Sequence, residues 1–441
     1  MRSHILLRGT ALAGAAALML AGCSPSTPSN EPSGSASSSG GAVDGEITLT
    51  VATFNEFGYN DLLAEYSELN PGIKVVEKKA ATSDEARENF MTKLAAGSGL
   101  SDIEGVEVDW LPEIMQSADL LYDLTDSSVA DRWLDWKSAQ ATTADGKLVG
   151  YGTDIGPEAV CYRSDLFKAA GLPTDREEVA TLLGSTWEDY FAVGKTFVAT
   201  SDAAWFDSAD AIFQGMVNQM ENPFSSTQPE ETLIPLDENT AIRATYDQLL
   251  AASVDDQLSA GLQQWTPDWQ NAFQNKEEKG SFATMLCPGW MLGVIEGNAA
   301  GMEGWDIANQ FPGGGGNWGG SFLTVPAQGK NVEEAKKLAA WLTAPEQQIK
   351  AFKLKGTFPS QVTALESEDL LSVTNPFFND APTGQILADR AKAVTVNPFK
   401  GPNYFAYRAA ISQAINRVDV DKTDSPADSW ATAASDISAL G

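Results

Sequence analysis

The stretch that most constrains the fold runs from Gly150 to Phe167, GYGTDIGPEAVCYRSDLF. Thr153-Asp154-Ile155 and Ala159-Val160-Cys161-Tyr162 read as short apolar strand pieces, with Gly156-Pro157 between them. Proline lacks a ladder donor and glycine relaxes the backbone, so this pair inside a strand predicts a bend or a crossing. Strand and helix signals stand on both sides of it. A second such stretch, Phe282 to Trp290 (FATMLCPGW), also carries a Pro-Gly break far downstream. A chain that passes from one α/β lobe to another and returns has this pattern.

Length agrees, since 441 residues exceed what one core usually holds and two domains are the expectation. The first lobe opens with the alternating strand Ile47-Thr48-Leu49-Thr50-Val51. A helix with Leu62, Leu63, Tyr66 and Leu69 on one face follows, ended by Pro71-Gly72. Ile73 to Val76 is strand, Thr82-x-x-Glu85 opens a helix, and Asp102 to Trp110 returns to strand. This alternation implies an α/β fold with a doubly wound, mostly parallel sheet flanked by helices. It resumes beyond the crossing, where Ser185-x-x-Glu188 starts a helix and Ala335, Leu338, Ala339 and Leu342 form another apolar stripe. No internal repeat is visible.

Residues 1–22 carry Arg2 and Arg8, then an apolar run shorter than the ~20 residues of a spanning helix, and read as a secretory signal. Leu20-Ala21-Gly22-Cys23 resembles the bacterial lipobox, which implies lipidation at Cys23; an ordinary signal peptide with a free cysteine is the alternative. Residues 23–45 are rich in Ser, Pro and Gly and read as a leash, with a root-mean-square span of roughly 25 Å if flexible. The expected place is the extracellular face of the cell membrane, held there by the lipid.

Composition prunes the functions. The only histidine, His4, lies in the signal, so the exported chain has none. Ser-His-Asp and Cys-His catalysis, histidine-ligated zinc and histidine general bases are thereby excluded. Net charge is −31, or −33 without the signal and its two arginines, which disfavours nucleic acid as a partner. Gly314 to Gly319 (GGGNWG) matches the dinucleotide fingerprint formally, but a strand follows it, not a helix. Asp419-x-Asp421 with Asp424 lacks the glycine and terminal glutamate of a calcium loop. No cofactor and no metal are expected, and the chain is expected to be a monomer.

In doubly wound sheets ligands sit beyond the carboxyl ends of strands, and between two lobes the natural site is the cleft. Candidates are therefore polar and aromatic residues after strands: Asn55 and Glu56, Trp110, Asp154, Trp290, Trp318 and Gly319, with Tyr404 and Arg408 on a late helix. The mixture suits a sugar, whose apolar ring face packs on indole and whose hydroxyls need charged or amide partners. Seven of the twelve tryptophans stand in contexts that suit packing, whereas Trp265 and Trp269 (QWTPDWQNAF) read either way. Asp154 serves equally well as a turn residue, and Glu56 as an acid at a helix dipole.

GPEAVCYRSDLFKAAGLPTD and FATMLCPGWM resemble the hinge strands of family 1 extracellular solute-binding proteins of carbohydrate ABC importers, the maltose-binding-protein superfamily. TFNEFGYNDLLAEY is similar to that family's first strand–helix segment, which implies sugar contacts at Asn55 and Glu56. CPGW resembles the hinge segment with a stacking tryptophan, here Trp290, and NYFAYRAA the late helix that brings Tyr404 and Arg408 to the cleft. WGGSFLTVP and PFFNDAP look most like the binders of β-linked cello- and xylo-oligosaccharides. The resemblance implies a two-lobed fold, with residues 46–155 and 290–348 in the N-lobe and 156–289 and 349–441 in the C-lobe. It places crossings near 154–160, 286–290 and 345–355. Cys161 and Cys287 would lie side by side in two crossing strands and form a disulfide tying the lobes at the hinge; two buried thiols are the alternative.

The expected function is capture of an oligosaccharide, of β-linked xylo- or cello-type, by hinge closure and its delivery to an ABC transporter permease, without catalysis. The rival is a secreted glycoside hydrolase, which needs only two carboxylates at a fixed separation.

Overall fold

The computed structural model describes residues 47–227, 232–276 and 278–440, so the signal, Cys23 and the leash lie outside the described residues. Among those described, no helix is long and apolar enough to cross a membrane.

The first lobe is built on a five-stranded sheet in the order Ile73–Ala80, Ile47–Phe54, Ile103–Glu107, Ser321–Thr324, Gly150–Gly152. The alternating sequence ITLTVATF puts Leu49, Val51 and Thr53 inside and pairs in parallel with Ile73–Ala80, from Ile47 opposite Ile73 to Phe54 opposite Ala80. Thr82 caps helix Ser83–Ala95, its Oγ1 accepting from Glu85 N–H at 3.2 Å, while the Glu85 carboxylate accepts from Ala81 N–H at 2.8 Å. Helix Asn60–Leu69 buries Leu62, Leu63 and Tyr66, but Leu69, at its end, is 61% exposed.

The second lobe has a four-stranded sheet in the order Trp305–Ala308, Glu158–Arg163, Phe282–Pro288, Ala204–Phe206. Its strands are buried on both faces. Val160 and Tyr162 join Trp205, Phe213 and Tyr407 on one side, and Cys161 and Cys287 join Trp305 and Ile307 on the other. Helix Trp187–Val198 is capped one residue later than expected, by Thr186 with Asp189.

Both sheets are mixed, each with one strand opposed to the rest: Ser321–Thr324 in the first and Glu158–Arg163 in the second. Each of these is the first strand after a crossing, so it enters its sheet from the cleft side.

The structure moves one crossing. Phe282–Pro288 is an inner strand of the second lobe, antiparallel to Glu158–Arg163 with Leu286 opposite Val160. Pro288 ends it, where a missing donor costs little, and Trp290 leads into helix Met291–Asn298. The chain returns later, through residues 309–320. Residues 290–308 therefore belong with the second lobe, where Met291, Leu292 and Ile295 share a core with Cys161. The three connections are tied together. Gly156 N–H donates to Asn317 Oδ1 at 2.9 Å, Trp318 N–H donates to the Gly156 carbonyl at 2.7 Å, and Phe358 pairs with Ile155.

Cys161 and Cys287, 126 positions apart in sequence, are joined, with Cα atoms 5.4 Å apart. Both lie in the second lobe's sheet, so the bond staples one lobe and does not tie the two together. Closing so long a loop contributes about 4–5 kcal/mol in the chain-entropy account. Reduction is expected to lower the second lobe's melting midpoint by roughly 5 °C or more in calorimetry under denaturing-compatible reductant; an unchanged thermogram would contradict this.

Candidate functional site

Between the lobes lies a cavity of about 540 Å³. Its first-lobe wall comes from the residues that follow strands: Asn55 and Glu56 after Ile47–Phe54, Asp84 in the first turn of the helix after Ile73–Ala80, and Asp109 after Ile103–Glu107. Its second-lobe wall is the loop 263–266, Trp290 and one face of helix Tyr404–Asp419. The connections supply the floor, with Asp154 and Trp318 to Ser321.

Three indoles gather on this floor. Trp265 and Trp290 are stacked, with centroids 6.1 Å apart and planes at 24°, and Trp318 meets Trp290 edge-on at 5.7 Å. Trp290 Nε1–H donates to the Trp318 carbonyl at 2.9 Å, which ties a second-lobe ring to a connection. Trp265 has φ 72° and Asn55 φ 46°, both in the left-handed region; asparagine tolerates this readily and tryptophan does so only under constraint.

Charged groups surround the indoles. Asp154 accepts from Thr153 Oγ1–H at 2.6 Å and from Ser321 N–H at 2.9 Å. Glu56 is paired with Lys79, and Lys355 stands 3.6 Å away. Asp109 is ion-paired with Lys400, and Arg408 Nε lies 3.6 Å from its other oxygen. Burial, then the adjacent Asp109, pushes the Glu107 carboxyl up to about 8. Burial brings the Lys137 ammonium down to about 7, and it sits 3.7 Å from the centre of the Phe322 ring.

Glu158, at the root of the first connection, is fully buried, and among the described residues only Asn218 Nδ2–H, at 3.0 Å, hydrogen-bonds its carboxyl. Burial pushes it up to about 8. Between an unfolded value near ~4.3 and this folded one, the folded chain holds the extra proton, so stability falls as pH rises through that window. Glu158→Gln keeps the shape and removes the titration. Its melting midpoint is expected to match the wild type at pH ~5 and to exceed it by several degrees at pH ~9; parallel pH profiles would refute the assignment.

The structure brings Asn55, Glu56, Asp154, Trp290, Trp318, Gly319 and Arg408 to the cavity, together with Trp265. Three other candidates do not reach it. Trp110 is fully buried, its Nε1–H donating to Ser83 Oγ at 3.0 Å. Trp269 is fully buried, donating to Asp207 Oδ2 at 2.8 Å and packing edge-on against Phe273. An indole whose N–H finds an internal partner is buried without penalty, which makes both of these packing residues. Tyr404 is 1% exposed and packs against Phe224, because its helix turns Tyr404, Tyr407 and Ile411 inward. The same helix presents Phe405, Arg408, Ser412 and Asn416 to the cavity. That polar stripe at spacings of three and four is a sequence signal that strand-end reasoning missed. Asp109 stands at a strand end, where the sequence points to the site, whereas Glu107 and Asp210 were missed, and as single acids among 60 they carry no pattern.

Two lobes joined by three connections, with a cleft lined by rings and polar groups between them, form the architecture of a ligand-binding protein. The chain belongs to the bacterial extracellular solute-binding proteins, whose family model matches residues 61–379. Among curated relatives, the arabinooligosaccharide-binding protein of Bacillus subtilis (strain 168) is 26% identical over 349 residues, 75% of this chain and 74% of the relative. The protein of the same name from Halalkalibacterium halodurans is 24% identical over 303 residues, 66% of this chain and 65% of its own. A crystal structure described as an extracellular solute-binding protein family 1 is 49% identical, with a TM-score of 0.77 over 89% of this chain and 99% of that one. The ABC transporter associated binding protein of B. animalis subsp. lactis Bl-04, in complex with beta-1,6-galactobiose, shares the fold at 21% identity and a TM-score of 0.76, covering 90% of this chain and 97% of its own.

Proposed function

We propose that this protein is the sugar receptor of an ABC importer, binding an oligosaccharide between its lobes by closure and handing it to a membrane permease. The observation that carries the reading is a set of buried polar atoms on cavity-lining side chains that have no hydrogen-bond partner among the described residues: Asn55 Oδ1, Thr357 Oγ1 and Asn416 Oδ1. Buried polar groups left unpaired are costly, so such a cluster beside stacked indoles suits a ligand with hydroxyls on its rim and an apolar ring face. A cavity of about 540 Å³ falls within the size range of small-molecule sites.

Pentose oligomers rank first. The resemblance of WGGSFLTVP and PFFNDAP favours a β-linked xylo- or cello-type chain, and the curated relatives are named for arabinooligosaccharides. Isothermal titration against xylo-, arabino- and cello-oligosaccharides and β-1,6-galactobiose is expected to give micromolar or tighter binding to one class. Absence of binding to every glycan would refute the reading. Release of monosaccharide during the titration would favour a hydrolase; the ion pairs that hold Asp109 and Glu56 speak for recognition instead. Attachment to the outer membrane face through a lipid on Cys23, with residues 24–45 as leash, completes the proposal.

A further inference from the structure

Beside the cavity, the two walls meet with opposite charge. On the first lobe stand Glu107 and Asp109, the backbone N–H of Asp109 donating to Glu107 Oε2 at 2.8 Å. Facing them from the second lobe are Lys400, just ahead of helix Tyr404–Asp419, and Arg408 on that helix. Lys400 belongs to the second lobe: neighbouring Phe399 N–H donates to the Glu221 carbonyl at 2.7 Å, and the ammonium lies 4.9 Å from the Tyr404 ring centre. Water is nearly excluded from the pair, with the Lys400 side chain 7% exposed and that of Asp109 8%. Close by, the Arg87 guanidinium of the first lobe lies 4.4 Å from the ring of Phe405, a second-lobe residue that packs on the first lobe's core. Asp109 and Arg408 line the cavity, whereas Lys400 does not.

We propose that Lys400 is a positioning residue for closure, its ion pair with Asp109 latching the lobes in the register that completes the cavity. Apart, the lobes expose two carboxylates side by side on one wall and two cations on the other. Together, Asp109 stands against both cations. A buried pair deprived of one partner leaves the other charge unpaired and poorly hydrated, a penalty absent when the lobes stand open in water. Removing Lys400 therefore burdens the closed form alone. Arg408 does not replace it, because its guanidinium is 3.6 Å away and also faces Asp210. A cation that touches Asp109 but not the cavity acts on ligand only through lobe geometry.

The ligand arm of the test rests on the oligosaccharide reading, and the scattering arm does not. Lys400→Met is expected to raise the ligand-free radius of gyration in small-angle scattering. It should also speed dissociation of the tightest-binding sugar by about tenfold or more, with association nearly unchanged and Lys400→Arg restoring both. Wild-type dimensions and wild-type dissociation in Lys400→Met would overturn the latch. If that variant does not fold, the wild type decides: its dimensions should grow between about 20 mM and about 1 M KCl as screening weakens attraction between the separated walls, and constant dimensions would overturn the proposal. If no sugar binds the wild type, the receptor reading fails while scattering still judges the latch.

Discussion

Trp290→Ala is expected to weaken oligosaccharide binding by roughly 30- to 1000-fold, the range that about 2–4 kcal/mol for a buried aromatic anchor represents. The effect is large because the ring has two roles. It stacks on Trp265 at the cavity floor, and its N–H holds the Trp318 carbonyl on a connection between the lobes. Alanine removes both the platform and the strut, and leaves the Trp318 carbonyl without that donor. Trp290→Phe separates the roles, since it retains a ring face and loses the N–H. Its expected loss is about tenfold or less, concentrated in the dissociation rate. Titration calorimetry on protein whose circular dichroism matches the wild type makes the measurement. Wild-type affinity in Trp290→Ala would remove this residue from the site altogether.

The second large effect is expected at Gly156, where the first connection passes the second. A Cβ there would lie 1.8 Å from the Trp318 carbonyl oxygen and 2.8 Å from its carbon. These are backbone atoms, which do not swing aside as a side-chain tip does. Gly156→Ala must separate the connections, losing the bond from Trp318 N–H to the Gly156 carbonyl and straining the one from Gly156 N–H to Asn317. A destabilisation of about 3 kcal/mol or more is expected in denaturant unfolding, together with weakened ligand binding. Gly297→Ala is the control: it lies within helix Met291–Asn298 with nothing within 4 Å of the added methyl, and it should be neutral or stabilising by up to about 1 kcal/mol. Similar behaviour of the two variants would show that the crossing tolerates bulk.

The sequence-to-structure relation is clearest where local chemistry has one reading. Gly156-Pro157 marks where the chain leaves the first sheet, because proline cannot sit in a central ladder and this glycine cannot carry a side chain. Thr82 with Glu85 opens its helix for equally local reasons. The return passage was not legible, since 309–320 is dominated by glycine and carries no apolar period, while Pro288-Gly289 imitates a crossing at the end of an ordinary strand. Site residues were legible where a strand ends in a loop, as at Asn55 and Glu56. Trp110 defeats that rule and Trp269 was ambiguous, because the acceptors that make their burial favourable, Ser83 and Asp207, are 27 and 62 residues away in sequence. On the late helix a single position decides: Tyr404 turns into the core and Phe405 toward the cleft, a consequence of about 100° of rotation per residue.

The three connections run side by side and are hydrogen-bonded to one another, Gly156 to Asn317 and Trp318, and Ile155 to Phe358. A lone tether would let two bodies swivel in any direction. A ribbon of three folds readily across its width and resists twisting about its length. Closure as proposed would then follow a single arc, one that returns Lys400 to the same carboxylate each time. Substitutions remote from this ribbon should alter how far along the arc the halves travel, while its direction stays fixed.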